Sequence, residues 1–194
     1  MSPPLIGIFV GGHGTRLGGV TKGLLRAAAG ETLVARLLNV CREGCPHAEL
    51  CLVGGSDAYR ALGLRALDDD PPSTGPIGGL RALLRDARAH NADLALAIAC
   101  DLPFLTASVV RRLAGPTSVA HAWVPLVNGY RQPLAAAYTP TPCLHALDAL
   151  LAQNKRSLMS LLDALGPHVE ELLLEPSDEA SLRDWDTPED IARG

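Results

Sequence analysis

Leu94-Ala95-Leu96-Ala97-Ile98-Ala99-Cys100-Asp101-Leu102-Pro103 is apolar until an acid and a proline stop it. A half-buried strand alternates polar and apolar residues, whereas an unbroken apolar run bounded in this way reads as a strand covered on both faces. That is the place of a central strand in a parallel sheet. Outward from it, strand-like runs at Leu5 to Val10, Leu50 to Val53 and Leu64 to Leu67 alternate with helical spacing at Thr32 to Arg42, Tyr59 to Leu62 and Leu80 to Ala89. Such alternation predicts a βαβ series. Between them, Asp68 to Gly79 mixes Asp, Pro and Gly without a period and reads as irregular.

After the central run, helical spacing at Ser108 to Leu113 precedes two strand-like runs, Val119 to Val127 and Tyr130 to Tyr138. They flank Asn128-Gly129, a strong hairpin signal. Pro125 and Pro133 inside them predict edge positions, because proline cannot donate to a ladder. Helices are expected at Cys143 to Gln153 and Ser157 to Leu165, then a strand at Val169 to Leu174. A last helix should start near Thr187, with Pro188 in its first position. There is no internal repeat or low-complexity linker. The expectation is one α/β domain over residues 1–194, with a mainly parallel central sheet and an antiparallel edge hairpin.

The chain has 194 residues, 47% of them apolar and 20% charged, enough for a sizeable core. A net charge of −4 argues against a general nucleic-acid binder. No apolar run reaches the roughly 18 residues that a membrane helix needs. Met1-Ser2-Pro3-Pro4 lacks the pattern of a secretory signal, so a cytoplasmic enzyme is the expectation. Cys41, Cys45 and Cys51 with His47 match zinc-site spacings poorly, and Cys41 in a helical pattern and Cys51 in an apolar strand read as small buried hydrophobes. Lys22 and Lys155 are the only lysines among 17 basic residues. A lysine kept inside a glycine-rich loop of so arginine-biased a chain suggests that a compact ammonium matters there.

That loop, Gly11-Gly12-His13-Gly14-Thr15-Arg16-Leu17-Gly18-Gly19-Val20-Thr21-Lys22, follows the first strand directly. Its glycines allow backbone amides to approach an anion, and Arg16 and Lys22 add charge suited to a polyphosphate. It lacks the spacing of a Walker A loop and of a dinucleotide fingerprint. Asp101, at the carboxyl end of the central strand, stands where open α/β sheets bind ligands and is a candidate Mg²⁺ ligand; the competing role is a cap on the helix that follows. Asp184 and Asp186, alternating in an extended tail, point to one side, so Asp186 is either a second metal ligand or an N-cap. His13 pairs with no nucleophile in the sequence.

The loop followed by Gly23-Leu24-Leu25 resembles the signature of nucleotidyltransferases. Gly75-Pro76-Ile77-Gly78-Gly79-Leu80, Cys100-Asp101-Leu102-Pro103-Phe104, Gly129-Tyr130-Arg131-Gln132-Pro133-Leu134, Arg156-Ser157-Leu158 and Asp186-Thr187-Pro188-Glu189-Asp190 narrow it. In that order they resemble the molybdenum cofactor guanylyltransferases, the MobA family, from about Ile6 to Ala192. The resemblance implies a Rossmann-like three-layer fold and transfer of GMP from GTP to molybdopterin, with release of pyrophosphate. It implies GTP binding by Val10, Gly11, Gly12, Gly14, Lys22, Asp69, Gly75 and Asp101. Arg16, Lys22 and Asp101 would serve catalysis, and Asp101 and Asp186 would hold Mg²⁺. Asp69 would contact the base or the ribose. A molybdoenzyme or chaperone partner stays open, as do a non-catalytic GTP-binding role and a sugar-phosphate or phospholactate acceptor.

The chain departs from the usual family pattern at Thr21, where an acid is common, and at Val53-Gly54-Gly55, where an Asn contact is common. Its tail has Asp184-Trp185-Asp186 in place of Asn-x-Asn, which resembles the related molybdopterin cytidylyltransferases.

Overall fold

The computed structural model describes residues 2–11, 22–26, 30–54, 57–116 and 118–185. Arg16, Gly12, Gly14, Asp186 and the helix expected after Thr187 lie outside the described residues. The strands are β1 (Leu5–Phe9), β2 (Glu49–Val53), β3 (Arg65–Leu67), β4 (Ala95–Ala99), β5 (Ala122–Val127), β6 (Tyr130–Arg131), β7 (Ala135–Tyr138) and β8 (Val169–Leu172). The helices are α1 (Leu33–Gly44), α2 (Pro76–Ala89), α3 (Ala107–Ala114), α4 (Pro140–Ala152), α5 (Leu158–Leu165) and α6 (Pro176–Ala180). Strand order is β3-β2-β1-β4-β7-β5-β6, with β8 pairing β5. β3, β2, β1 and β4 run parallel, as do β5 and β8, while β7 is antiparallel to both β4 and β5.

The pleat sorts the core. Leu5 and Phe9 of β1, with Ala95 and Ala97 of β4, face α2, α4 and α5; Ile6, Ile8, Leu96 and Ile98 face α1 and α3. The first face is built from small residues so that α2 can lie close. A Cβ on Gly7 would stand 2.8 Å from side-chain atoms of both Leu83 and Val53.

Three expectations change. α2 begins at Pro76, so Pro76 to Gly79 is helical rather than irregular. Pro76 takes the first position after Gly75, whose φ of 74° favours glycine, and Gly79 is small because a Cβ there would stand 2.8 Å from Val53. α4 likewise starts on its proline, Pro140 rather than Cys143. Pro125 is not at an edge, because β8 lies outside β5 with Pro125 opposite Leu172. On the other side β7 pairing ends at Trp123 and β6 pairing begins at Leu126, so Pro125 falls where no ladder N–H is required. Its carbonyl still accepts from the Gln132 N–H at 2.9 Å. The hairpin itself forms as expected, with Asn128 and Gly129 both at positive φ. Among the described residues no helix is long and apolar enough to cross a membrane.

Candidate active site

The parallel register aligns the carboxyl ends of β1, β2 and β4: Phe9 lies opposite both Val53 and Ala99. The chain leaves these three ends together. Val10 and Gly11 both donate their N–H to the Val53 carbonyl, at 2.9 and 3.3 Å, and Cys100 N–H donates to Phe9 at 3.1 Å. Gly54, at φ 74°, turns beneath Gly11; a Cβ on Gly54 would stand 2.9 Å from the Gly11 Cα. Backbone therefore meets backbone where the glycine-rich loop leaves β1.

Lys22 and Asp101 reach each other at this rim. The Lys22 ammonium donates to Asp101 Oδ2 at 2.9 Å, with the two side chains 20% and 22% exposed. Lys22 opens a short 3-10 turn, Lys22–Leu24. Its next residue, Gly23, is buried against Tyr59, where a Cβ would come within 2.5 Å of the hydroxyl oxygen. That hydroxyl is buried, has no hydrogen-bond partner among the described residues, and is pushed to a higher pKa chiefly by its burial. The Asp101 carbonyl accepts from Trp185 N–H at 2.9 Å, which brings the tail back to the head of β4. Asp101 does not cap α3; Thr106 does, accepting from Val109 N–H at 3.4 Å. The capping alternative for Asp101 is thereby removed. The Cys100 thiol beside it is pushed up to about 12, first by burial and then by the Asp101 charge, so it stays neutral.

Asp69 enters from β3. Its Oδ1 lies 3.6 Å from the place a Gly54 Cβ would take and 3.2 Å from that of Gly79, between the β2 turn and the first turn of α2. Burial, and then Asp68, raise its pKa above the ordinary value. Asp70 beside it is gripped by Arg81 at 2.6 Å and by Arg85, and Arg81 also reaches Asp148 of α4 at 2.6 Å. Val10, Gly11, Lys22, Asp69 and Asp101 thus gather at one end of the sheet, and Gly75 is the N-cap of α2.

Sequence reasoning singled out the Asp184–Asp186 tail but missed Tyr59 and the packing of Trp185. Trp185 is 2% exposed and meets Phe104 edge-on at 6.2 Å between ring centres. Arg183 lies over the same Phe104 ring at 4.9 Å. Next to Arg183, an open groove of about 420 Å³ runs between the β5–β6 turn and α6, lined by Asn128, Gln132 and Glu179 among others. Aromatic residues make up only 4% of the chain, and that scarcity was the available signal. Cys41 and Cys51 are buried as expected, and no cluster of metal-ligating side chains occurs among the described residues.

A cation, carboxylates and facing glycine turns at the carboxyl ends of parallel strands define an α/β protein equipped for a charged, phosphate-bearing ligand. The comparisons make this specific. The sequence pattern of the family described as MobA-like NTP transferase domain matches residues 6–169. The molybdenum cofactor guanylyltransferase of Rhodobacter capsulatus is 32% identical over 96% of this chain and 92% of its own. A probable molybdenum cofactor guanylyltransferase of Natronomonas pharaonis is 28% identical over 96% and 94%. Among solved structures, molybdopterin-guanine dinucleotide biosynthesis protein A from Archaeoglobus fulgidus superposes with a TM-score of 0.74 at 22% identity, covering 97% of this chain and 95% of that one. The chain belongs to the MobA-like NTP transferase family and is a nucleotidyltransferase.

Proposed function

We propose that this enzyme transfers GMP from GTP to the terminal phosphate of molybdopterin, forming the guanine dinucleotide cofactor and pyrophosphate. The observation that carries this reading is the Lys22–Asp101 pair at the heads of β1 and β4, in a chain whose relatives bear that activity in their names. An oxygen of the acceptor phosphate attacks the α-phosphorus of GTP, and the bond from that phosphorus to the bridging oxygen of pyrophosphate breaks. The nucleophile is already anionic, so no protein base is required. The enzyme has to align the partners and offset developing charge. Lys22, with Arg16, holds the phosphates, and Asp69 reads the base from its place beside Gly79.

Asp101 suits Mg²⁺. It offers a hard carboxylate oxygen that already engages a cation, and the absence of a many-ligand cluster among the described residues fits an ion completed by phosphate oxygens and water. Bound there, Mg²⁺ would supply charge neutralisation at the reacting phosphates, with Asp186 as its second carboxylate. The groove beside Arg183 is assigned to the acceptor, with the guanidinium facing its anionic end. The enzyme is placed in the cytoplasm.

The test is pyrophosphate release from GTP, CTP and ATP, with and without molybdopterin. Release from GTP that depends on molybdopterin is expected. Preference for CTP makes the enzyme a cytidylyltransferase, the reading that the Asp184-Trp185-Asp186 tail favours. Nucleotide binding without turnover makes it a binding module. Lys22→Ala should lower turnover by roughly a hundredfold or more.

A further inference from the structure

Lys22 and Asp101 are assigned above to different tasks, yet in the free chain each engages the other at 2.9 Å. The backbone under both ends is fixed. Gly23, next to Lys22, is wedged against the Tyr59 ring, while Asp101 is held through its own carbonyl by Trp185 and through Cys100 by Phe9. The pair is therefore set by the scaffold and is not a chance meeting of two surface side chains. At about one-fifth exposure both charges have lost much of their water, so their attraction exceeds that of an exposed pair.

A divalent ion would bind through the same carboxylate whose Oδ2 the ammonium now holds. We infer that Lys22 is a placeholder cation: in the nucleotide-free enzyme its ammonium fills the metal position at Asp101, and a divalent ion enters only as a triphosphate draws Lys22 away. The inference rests on the roles given above to these two residues. It makes metal and nucleotide enter together and disfavours binding of the metal alone at Asp101. It also accounts for lysine at this position in a chain with only two lysines among its 17 basic residues. A compact charge on a flexible stem can swing from carboxylate to phosphate, whereas a guanidinium fork grips a carboxylate through two bonds.

The experiment measures Mn²⁺ binding to the full, nucleotide-free chain by the electron paramagnetic resonance of free Mn²⁺. Neither GTP nor molybdopterin is present. Lys22→Gln should bind Mn²⁺ roughly tenfold more tightly than wild type, a size between that of exposed and fully buried ion pairs. Lys22→Met should shift the same way, and Lys22→Arg should stay within about threefold of wild type, the charge being kept. Adding Asp101→Asn to Lys22→Gln should abolish the gain. Thermal unfolding of each variant verifies folding. Unchanged or weaker Mn²⁺ binding in both neutral variants overturns the inference, as does a gain in Lys22→Arg equal to theirs. A gain that survives Asp101→Asn overturns the metal role of Asp101 itself, whereas failure of the nucleotide assay alone leaves this result standing.

Discussion

Asp69 sits where burial and Asp68 disfavour its charged form. With a folded-state pKa above its unfolded value, the folded protein holds the proton more tightly, so this group costs stability as pH rises through the interval between the two. Asp69→Asn removes that cost. The variant should melt higher than wild type at neutral pH, and the gain should vanish below the ordinary value near 3.8. Its kcat/KM for GTP should nonetheless fall roughly tenfold or more, since an amide cannot accept from two guanine donors. Higher stability with unchanged kcat/KM would show a buried acid with no ligand to read. At Gly23 the direction is opposite. Gly23→Ala sets a methyl group 2.5 Å from the Tyr59 hydroxyl and should cost about 1–3 kcal/mol. Tyr59→Phe, which removes a hydroxyl with no partner, should be neutral or slightly stabilising and should relieve part of the Gly23→Ala penalty in the double variant. Denaturant unfolding of the four proteins gives the coupling directly.

At the scale of elements, α3 separates capping from catalysis. Thr106→Ala removes its cap and should cost about 1 kcal/mol, lowering Tm by about 2–4 °C with KM unchanged. Asp101→Asn leaves α3 capped and should lose activity rather than the helix. The central strands were legible because their cause is local: an unbroken apolar run is buried on both faces wherever it lies. The start of α2 was not legible. Gly78 and Gly79 look like loop residues, and only Val53, far off in sequence, explains why the helix needs them small. The site divides in the same way. Lys22 and Asp101 were each identifiable by chemistry and position, but a pair separated by 79 residues is a product of strand order. α6 escaped because Pro176–Ala180 is a single turn without a period to read.

For the molecule as a whole, the tail is fastened across several elements and reaches back to the Asp101 carbonyl. Asp178 accepts from Ser108 at 3.3 Å, Glu179 accepts from the Asn128 N–H at 2.6 Å, and Trp185 seals the run against Phe104. Trp185→Ala should cost about 3 kcal/mol and lower Tm by about 6–12 °C, with faster hydrogen exchange across residues 176–185. Trp185→Phe keeps the ring contact and loses an N–H that has no partner among the described residues, so it should stay close to wild type. Slow exchange in Trp185→Ala would mean that α6 holds the tail unaided. The contact between Gly11 and Gly54 bears on redesign. Since neither position admits a side chain without moving the other, the ends of β1 and β2 are mechanically coupled at Gly11 and Gly54. A substitution at Gly54 is therefore felt at Gly11, and the two must be varied together.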